Sequence, residues 1–228
     1  MESIYDRYGL ELWEKFVAGA GSFNTEQLKL LSDAFKDSTK VLDLGIGLGN
    51  LAKILVSQGK IVYGVDIRRD SLDYAQRKVG SEDLGKLVLV ERDVRDLNFN
   101  NEFDGASIVS NVADFGDLNP VFSGVYRALQ NNGYFAMTGV ESSQLERMNE
   151  LRRNETELAI QEGRLFFTPD EVKKLQKEGK NLEKMKEGLS KVIDSSERTT
   201  DALIRNGFRV LRKQGFYHDT CYFVLAQK

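Results

Sequence analysis

Between Lys40 and Val140 short apolar, β-branched stretches alternate with longer ones whose apolar residues recur every three or four positions. An unbroken apolar run of four to eight residues suits a strand covered on both faces, and the wider spacing suits a helix lying on such a sheet. The strand stretches are KVLDLG, KIVYGVDI, KLVLVERD, FDGASIVS and GYFAMTGV. Between them, NLAKILVSQG closes on Gly59, and DSLDYAQRKVG opens with Asp70 as an N-cap and closes on Gly80. The stretch NPVFSGVYRALQNNG starts at Asn119-Pro120 and stops at Gly133. Strands and helices in alternation predict a parallel sheet, and right-handed crossovers bring the carboxyl ends of its strands to one edge, where the chemistry is expected.

The flanks read differently. Tyr5 to Ala18 and Thr25 to Phe35 have helical spacing, separated by GAGSFN, and predict an N-terminal helical flap. Ser142 to Asp194 carries apolar residues at helical steps (Leu145, Met148; Val172, Leu175, Leu182, Met185, Leu189), broken at Gly163 and Thr168-Pro169, and predicts a helical cap. Its Lys and Glu interleave along KKLQKEGKNLEKMKEG, as on a solvated helix face. TDALIRNGFRVLRKQGFYHDTCYFVLAQK reads as a helix ending at Gly207, a strand, a turn near His218 and Asp219, and a last strand. The expectation is a doubly wound α/β fold with a seven-stranded, mostly parallel sheet and a C-terminal antiparallel hairpin. It forms a single domain over 1–228: N-terminal helices 1–39, core 40–140, cap 141–195, and closing helix and hairpin 196–228.

Composition narrows the partners. A formal net charge of -3 argues against the broad basic face that phosphate neutralisation demands, so nucleic acid is not the expected partner. No apolar run approaches the roughly 20 residues that span a bilayer, and the N-terminal MESIYDRYGLELWEKF is charged where a signal peptide is apolar. Cys221 has no second cysteine to pair with. These features predict a cytoplasmic, non-membrane protein, as monomer or homodimer. One His and no Cys cluster leave no expected metal site.

The run VLDLGIGLGN places Gly45, Gly47 and Gly49 between a strand and a helix, where missing side chains let the backbone approach a ligand. A dinucleotide fingerprint, G-x-G-x-x-G, fails here because the last position counted from Gly45 is Asn50. An acidic residue followed by G-x-G-x-G, here Asp43 to Gly49, resembles instead the first motif of class I S-adenosylmethionine methyltransferases of small-molecule type. Asp66 at the end of VYGVDI, Asp93 and Val94 in VERDV, and the segment FDGASIVSNVADFGD extend the resemblance, as do VYRALQNNGYFAMTG and the final hairpin.

The resemblance implies S-adenosylmethionine as cofactor and S-adenosylhomocysteine as product. It implies that Asp43 meets the methionyl ammonium and that amides of the Gly45, Gly47, Gly49 and Asn50 loop meet the carboxylate. Asp66 would take the ribose hydroxyls, with Ile67 beside it, Asp93 and Val94 the adenine, and Ser110 and Asn111 would run beneath the sulfonium.

SNVADFG lacks the N-P-P-Y type of motif used on exocyclic and amide nitrogens, so a small-molecule O, N, S or C acceptor is expected. Asn111 and Asp114 leave the fourth strand at the donor end; they could shape the acceptor pocket or merely build an Asn- and Asp-rich turn. His218 could serve as a base if its hairpin reaches the same edge, or be a solvated turn residue. Tyr5, Tyr8, Phe115 and Phe166 could form aromatic walls for the acceptor or simply pack. Other readings are a protein or RNA methyltransferase docking through 141–195, a cofactor-binding module that does not methylate, and a nucleotide-dependent oxidoreductase.

Overall fold

The computed structural model describes residues 9–19, 21–110, 116–173 and 195–228. Two helices come first, α1 (Leu10–Gly19) and α2 (Gly21–Ala34), so Gly19 and residues 21–24 of the expected GAGSFN separator are helical. The core follows as β1 (Lys40–Leu44), α3 (Asn50–Ser57), β2 (Ile61–Asp66), α4 (Arg69–Val79), β3 (Leu87–Glu91), β4 (Phe103–Val109), α5 (Leu118–Ala128) and β5 (Leu129–Val140). Then come α6 (Leu145–Gln161), α7 (Ser196–Arg205), β6 (Arg209–Phe216) and β7 (Cys221–Gln227).

The seven strands form one sheet in the order β3-β2-β1-β4-β5-β7-β6, as expected of the doubly wound fold. The first five are parallel, and β7 is antiparallel to both β5 and β6. β6 therefore runs in the direction of the parallel strands, and the β6–β7 turn lies at their carboxyl edge.

Alternation along the strands divides the core. Leu42, Leu44, Ala106, Ile108, Phe135 and Met137 join Val121, Phe122 and Val125 of α5 and Leu203 of α7 on one face. Val41, Ala136 and Phe223 join Phe23, Leu31, Leu51, Leu55 and Leu72 of α2, α3 and α4 on the other. The second face also carries a polar seam, because Asp43 and Ser107 occupy its positions and are sealed under the helices. The start of β1 is held by Asp104, whose carboxylate accepts from the Thr39 amide at 2.8 Å, the Thr39 hydroxyl at 2.6 Å and the Lys40 amide at 2.9 Å.

Two helix boundaries differ from the sequence reading. Asp70 is not an N-cap: Arg68 occupies that position, and Asp70 sits in the first turn of α4, where it pairs with Arg68 at 2.6 Å. The cause is the preceding turn, in which the Arg68 amide already donates to Asp66. The helix read as running to Gly133 stops at Ala128. Leu129, fully buried, pairs with Phe103 instead, and the register then breaks before Tyr134 pairs with Gly105. Burial of Leu129 outweighs the helical spacing, and Asn132 at φ 64 helps turn the chain back into register.

Thr168 begins a helical turn reciprocally capped by Glu171: its amide donates to the Glu171 carboxylate at 2.8 Å, and its hydroxyl accepts from the Glu171 amide at 3.3 Å. α1 packs on α6 and on the chain just after it, with Leu12 against Phe167.

Gly139 on β5 faces Tyr222 on β7, and a Cβ there would overlap the Tyr222 ring. That ring is 1% exposed and its hydroxyl bonds Thr199 at 2.9 Å, so it has no room to yield. Gly139→Ala is expected to lower folding stability by about 1–3 kcal/mol through overpacking, read as a lower urea midpoint. An unchanged midpoint would show that the β5–β7 junction can relax.

Candidate functional site

The loop after β1 is shaped by backbone conformations that only glycine adopts cheaply. Gly45, Gly47 and Gly49 have φ of 66, 50 and 70. The Gly45 and Ile46 amides donate to the Val65 carbonyl of β2 at 2.8 and 3.1 Å, and the Gly49 amide closes a tight turn onto Ile46 at 2.9 Å. A Cβ on Gly49 would press into Ala75 of α4, so glycine also allows the close approach of that helix. α3 then starts with no side chain capping its first amides. Such a terminus is a donor set suited to an anion.

Asp66 organises the loop from the end of β2. Its carboxylate accepts from the Gly47 amide at 3.1 Å and the Arg68 amide at 2.9 Å. Burial raises its pKa, opposed by those two amides. Asp43, two residues before the loop, is 1% exposed and accepts from the Ser107 hydroxyl at 2.8 Å. Burial, and secondarily the negative charge of Asp66, push its pKa up to about 7, against the pull of Ser107. Two carboxylates that resist ionisation beside a glycine loop form an acceptor-rich floor that a cation would stabilise.

Ile67, next to Asp66, leaves an apolar side chain 63% exposed at the same edge. After β3, Asp93 is clasped by Arg95 through paired bonds of 2.9 and 2.5 Å, which hold its carboxyl below the usual range, while Val94 is buried. Asn50 turns its carboxamide to Lys78, which also pairs with Glu14 of α1 at 2.5 Å. The Glu14 carboxylate additionally accepts from the Tyr74 hydroxyl. α1 is thus tied to the helix that opens at the glycine loop, a link the sequence pattern did not announce.

At the end of β4, Ser110 adopts φ 58, rare for a residue with a side chain. Its amide donates to the Thr138 hydroxyl at 3.2 Å, and its own hydroxyl donates to the Gln27 carboxamide oxygen, which also accepts from Thr138 at 3.1 Å. Sequence reasoning missed Gln27, a polar residue on the apolar face of α2 that is only 4% exposed. A buried glutamine in line with Phe23 and Leu31 was the available signal.

His218 is exposed in the β6–β7 turn at the carboxyl edge, its ring against Tyr217. Three successive residues there, Tyr217, His218 and Asp219, have φ of 49, 57 and 58. Phe166 is 74% exposed, whereas its neighbour Phe167 is buried. Tyr5, Tyr8, Asn111, Asp114 and Phe115 lie outside the described residues. Among the described residues no cluster of His, Cys, Asp or Glu could hold a metal ion, and no helix is long and apolar enough to cross a membrane.

The loop, the two buried aspartates and the donor-rich helix start fit an adenosyl amino acid: acceptors for an ammonium and a vicinal diol, amides for a carboxylate, and an apolar side chain for a ring. Comparison with known proteins agrees. Residues 35–197 match the family model described as a methyltransferase domain. YqeM of Bacillus subtilis (strain 168) is 26% identical over 110 residues, 46% of this chain and 44% of that protein, so the match spans less than half of either. An S-adenosylmethionine dependent methyltransferase from Mesorhizobium loti superposes with a TM-score of 0.64 at 18% identity, covering 92% of this chain and 100% of that one. The N-methyltransferase NodS from Bradyrhizobium japonicum WM9, solved with S-adenosyl-l-homocysteine, gives 0.62 at 10% identity over 95% of this chain and 98% of that one. The chain belongs to the methyltransferase-domain family, and it shares the fold of solved S-adenosylmethionine-dependent methyltransferases.

Proposed function

We propose that this protein, acting as a single cytoplasmic domain, methylates a small-molecule acceptor bound over the carboxyl ends of β4 and β5. The observation that carries the cofactor half is the glycine loop held between Asp66 and the Val65 carbonyl, above a buried Asp43. The acidic net charge and the helices α1, α2 and α6 packed around this edge support an enclosed small acceptor over a nucleic acid.

Each residue has one task. The Gly47 and Gly49 backbone lets the ligand approach, and the free amides at the start of α3 take its carboxylate. Asp43 accepts from the ammonium, Asp66 from the ribose hydroxyls, and Ile67 covers one side of the adenine. Asp93 keeps lone pairs for the adenine amino group while Arg95 fixes its plane, and the Val94 amide meets a ring nitrogen. The cofactor, when bound, supplies a methyl group already activated by the positive sulfonium. What remains for the chain is to align the acceptor and exclude water, which asks little of a general base. Asn111 and Asp114 are the acceptor-side candidates after β4, and His218 is the candidate base.

Calorimetric titration with S-adenosylhomocysteine, with NADH as control, tests the cofactor assignment: micromolar binding of the first alone is expected. Asp66→Ala should weaken that binding roughly hundredfold or more, since two hydrogen bonds to a charged acceptor vanish. Gly47→Val should abolish it by forbidding the positive φ. Both variants should keep the parent circular dichroism spectrum; if they also bind like the parent, the site is elsewhere.

Asp43 makes both stability and binding depend on pH. With a pKa of about 7 folded against 3.8 ordinarily, the folded protein keeps a proton that the unfolded chain has lost between about pH 4 and 7. Its contribution to stability therefore falls as pH rises through that window. An ammonium beside Asp43 favours the ionised form, so S-adenosylhomocysteine should bind more tightly as pH rises towards 8, with proton release detectable by calorimetry in buffers of different ionisation enthalpy. Asp43→Asn should lose both effects. A parent protein whose binding releases no proton near pH 7 would contradict the ammonium contact.

A further inference from the structure

Gln27 is nine-tenths buried and more, yet it is not a core residue in the ordinary sense. It reaches from α2 to the carboxyl ends of β4 and β5, where its oxygen accepts from the Ser110 and Thr138 hydroxyls. The Thr138 oxygen also accepts the Ser110 amide, and both hydroxyls donate to the carboxamide oxygen. Its nitrogen faces the other way and meets no acceptor among the described residues. Gln27 as a whole retains 4% exposure.

Its position relative to the glycine loop decides what it can reach. β1, which carries the loop, neighbours β4, and β4 neighbours β5, so the strands that Gln27 touches lie within about two strand spacings, ~10 Å across the sheet, of the strand that carries the loop. Among the described residues, few side-chain donors at this edge are uncommitted. Arg68 is engaged with Asp70, Arg95 with Asp93, and Lys78 with Glu14 and Asn50. Asp43 and Asp66 supply acceptors only. An amino acid group held against Asp43 by its ammonium needs donors for its carboxylate on both sides, and the start of α3 covers one of them.

Taking the cofactor reading above as its basis, we propose that Gln27 donates its carboxamide N–H to the methionyl carboxylate of the cofactor, opposite the amides of α3. Ser110 and Thr138 serve as the clamp that points it there. The strained φ of Ser110 is then explained as the conformation that brings its hydroxyl to Gln27. The N-terminal helix becomes part of the cofactor site rather than a cover beside it.

The test compares S-adenosylhomocysteine with methylthioadenosine, which keeps the nucleoside and sulfur but lacks the amino acid group. Gln27→Leu removes the donor, and Gln27→Glu keeps an acceptor for both hydroxyls but presents negative charge to the carboxylate. The expected result is S-adenosylhomocysteine binding weakened roughly tenfold or more by Gln27→Leu and further by Gln27→Glu, with methylthioadenosine affinity within about twofold of the parent in both. Equal loss for the two ligands would make Gln27 a purely structural residue and overturn the assignment, as would parent-like S-adenosylhomocysteine affinity in both variants. A parent protein that binds neither ligand would overturn the cofactor reading itself, and this assignment with it.

Discussion

Burying Asp43 in a central strand is the constraint around which the site is arranged. A carboxylate placed under helices loses most of its hydration, and only one hydroxyl, that of Ser107, is supplied in return. Asp66, also buried, adds repulsion rather than relief. A fold that carries such a pair gives up stability at neutral pH and keeps two acceptors together beneath the glycine loop. The neighbouring elements are consistent with that purpose: glycines that approach without side chains, a helix start left uncapped, and a β2 carboxylate that holds the loop open.

The same face of the sheet carries the rest of the polar chemistry. Asp43, Ser107 and Thr138 lie on the side covered by α2, α3 and α4, whereas the other face, under α5 and α7, is filled by Leu, Ile, Phe and Met. The division follows from strand alternation, because a polar residue placed at every second position of adjacent parallel strands lines up across them. α2 contributes Phe23 and Leu31 to the core and Gln27 to the polar seam, and so anchors and equips the edge at once. α1 is bound to α4 through Glu14, Tyr74 and Lys78, which ties the N-terminal helices to the loop they flank.

Most of the glycine loop and its acidic neighbours could be read from the chain because their requirements are local. Gly45, Gly47 and Gly49 announce positive φ within five residues, and Asp43 and Asp66 fall at the ends of runs that can only be strands. Helix ends were less legible. Asp70 looked like a cap until the Asp66 carboxylate claimed the Arg68 amide, and the helical spacing past Ala128 yielded to the pairing of Leu129 with Phe103. In the first case the competing contact lies only two residues back, at the end of β2; in the second a strand partner from another part of the chain outweighed a local preference of comparable size.

By itself, then, the sequence determined the alternation of strands and helices, the glycine loop, the acidic strand ends and the hairpin that closes the sheet, since hydrophobic period and backbone permissiveness act over a few residues. Tertiary structure decided that Gln27 meets Ser110 and Thr138 from more than eighty and a hundred residues away, that Lys78 takes Asn50, and that Asp43 is buried deeply enough to hold a proton near neutrality. Those outcomes depend on which polar groups are brought together and how much water is expelled between them. Both are properties of the packed molecule and leave no period in the chain.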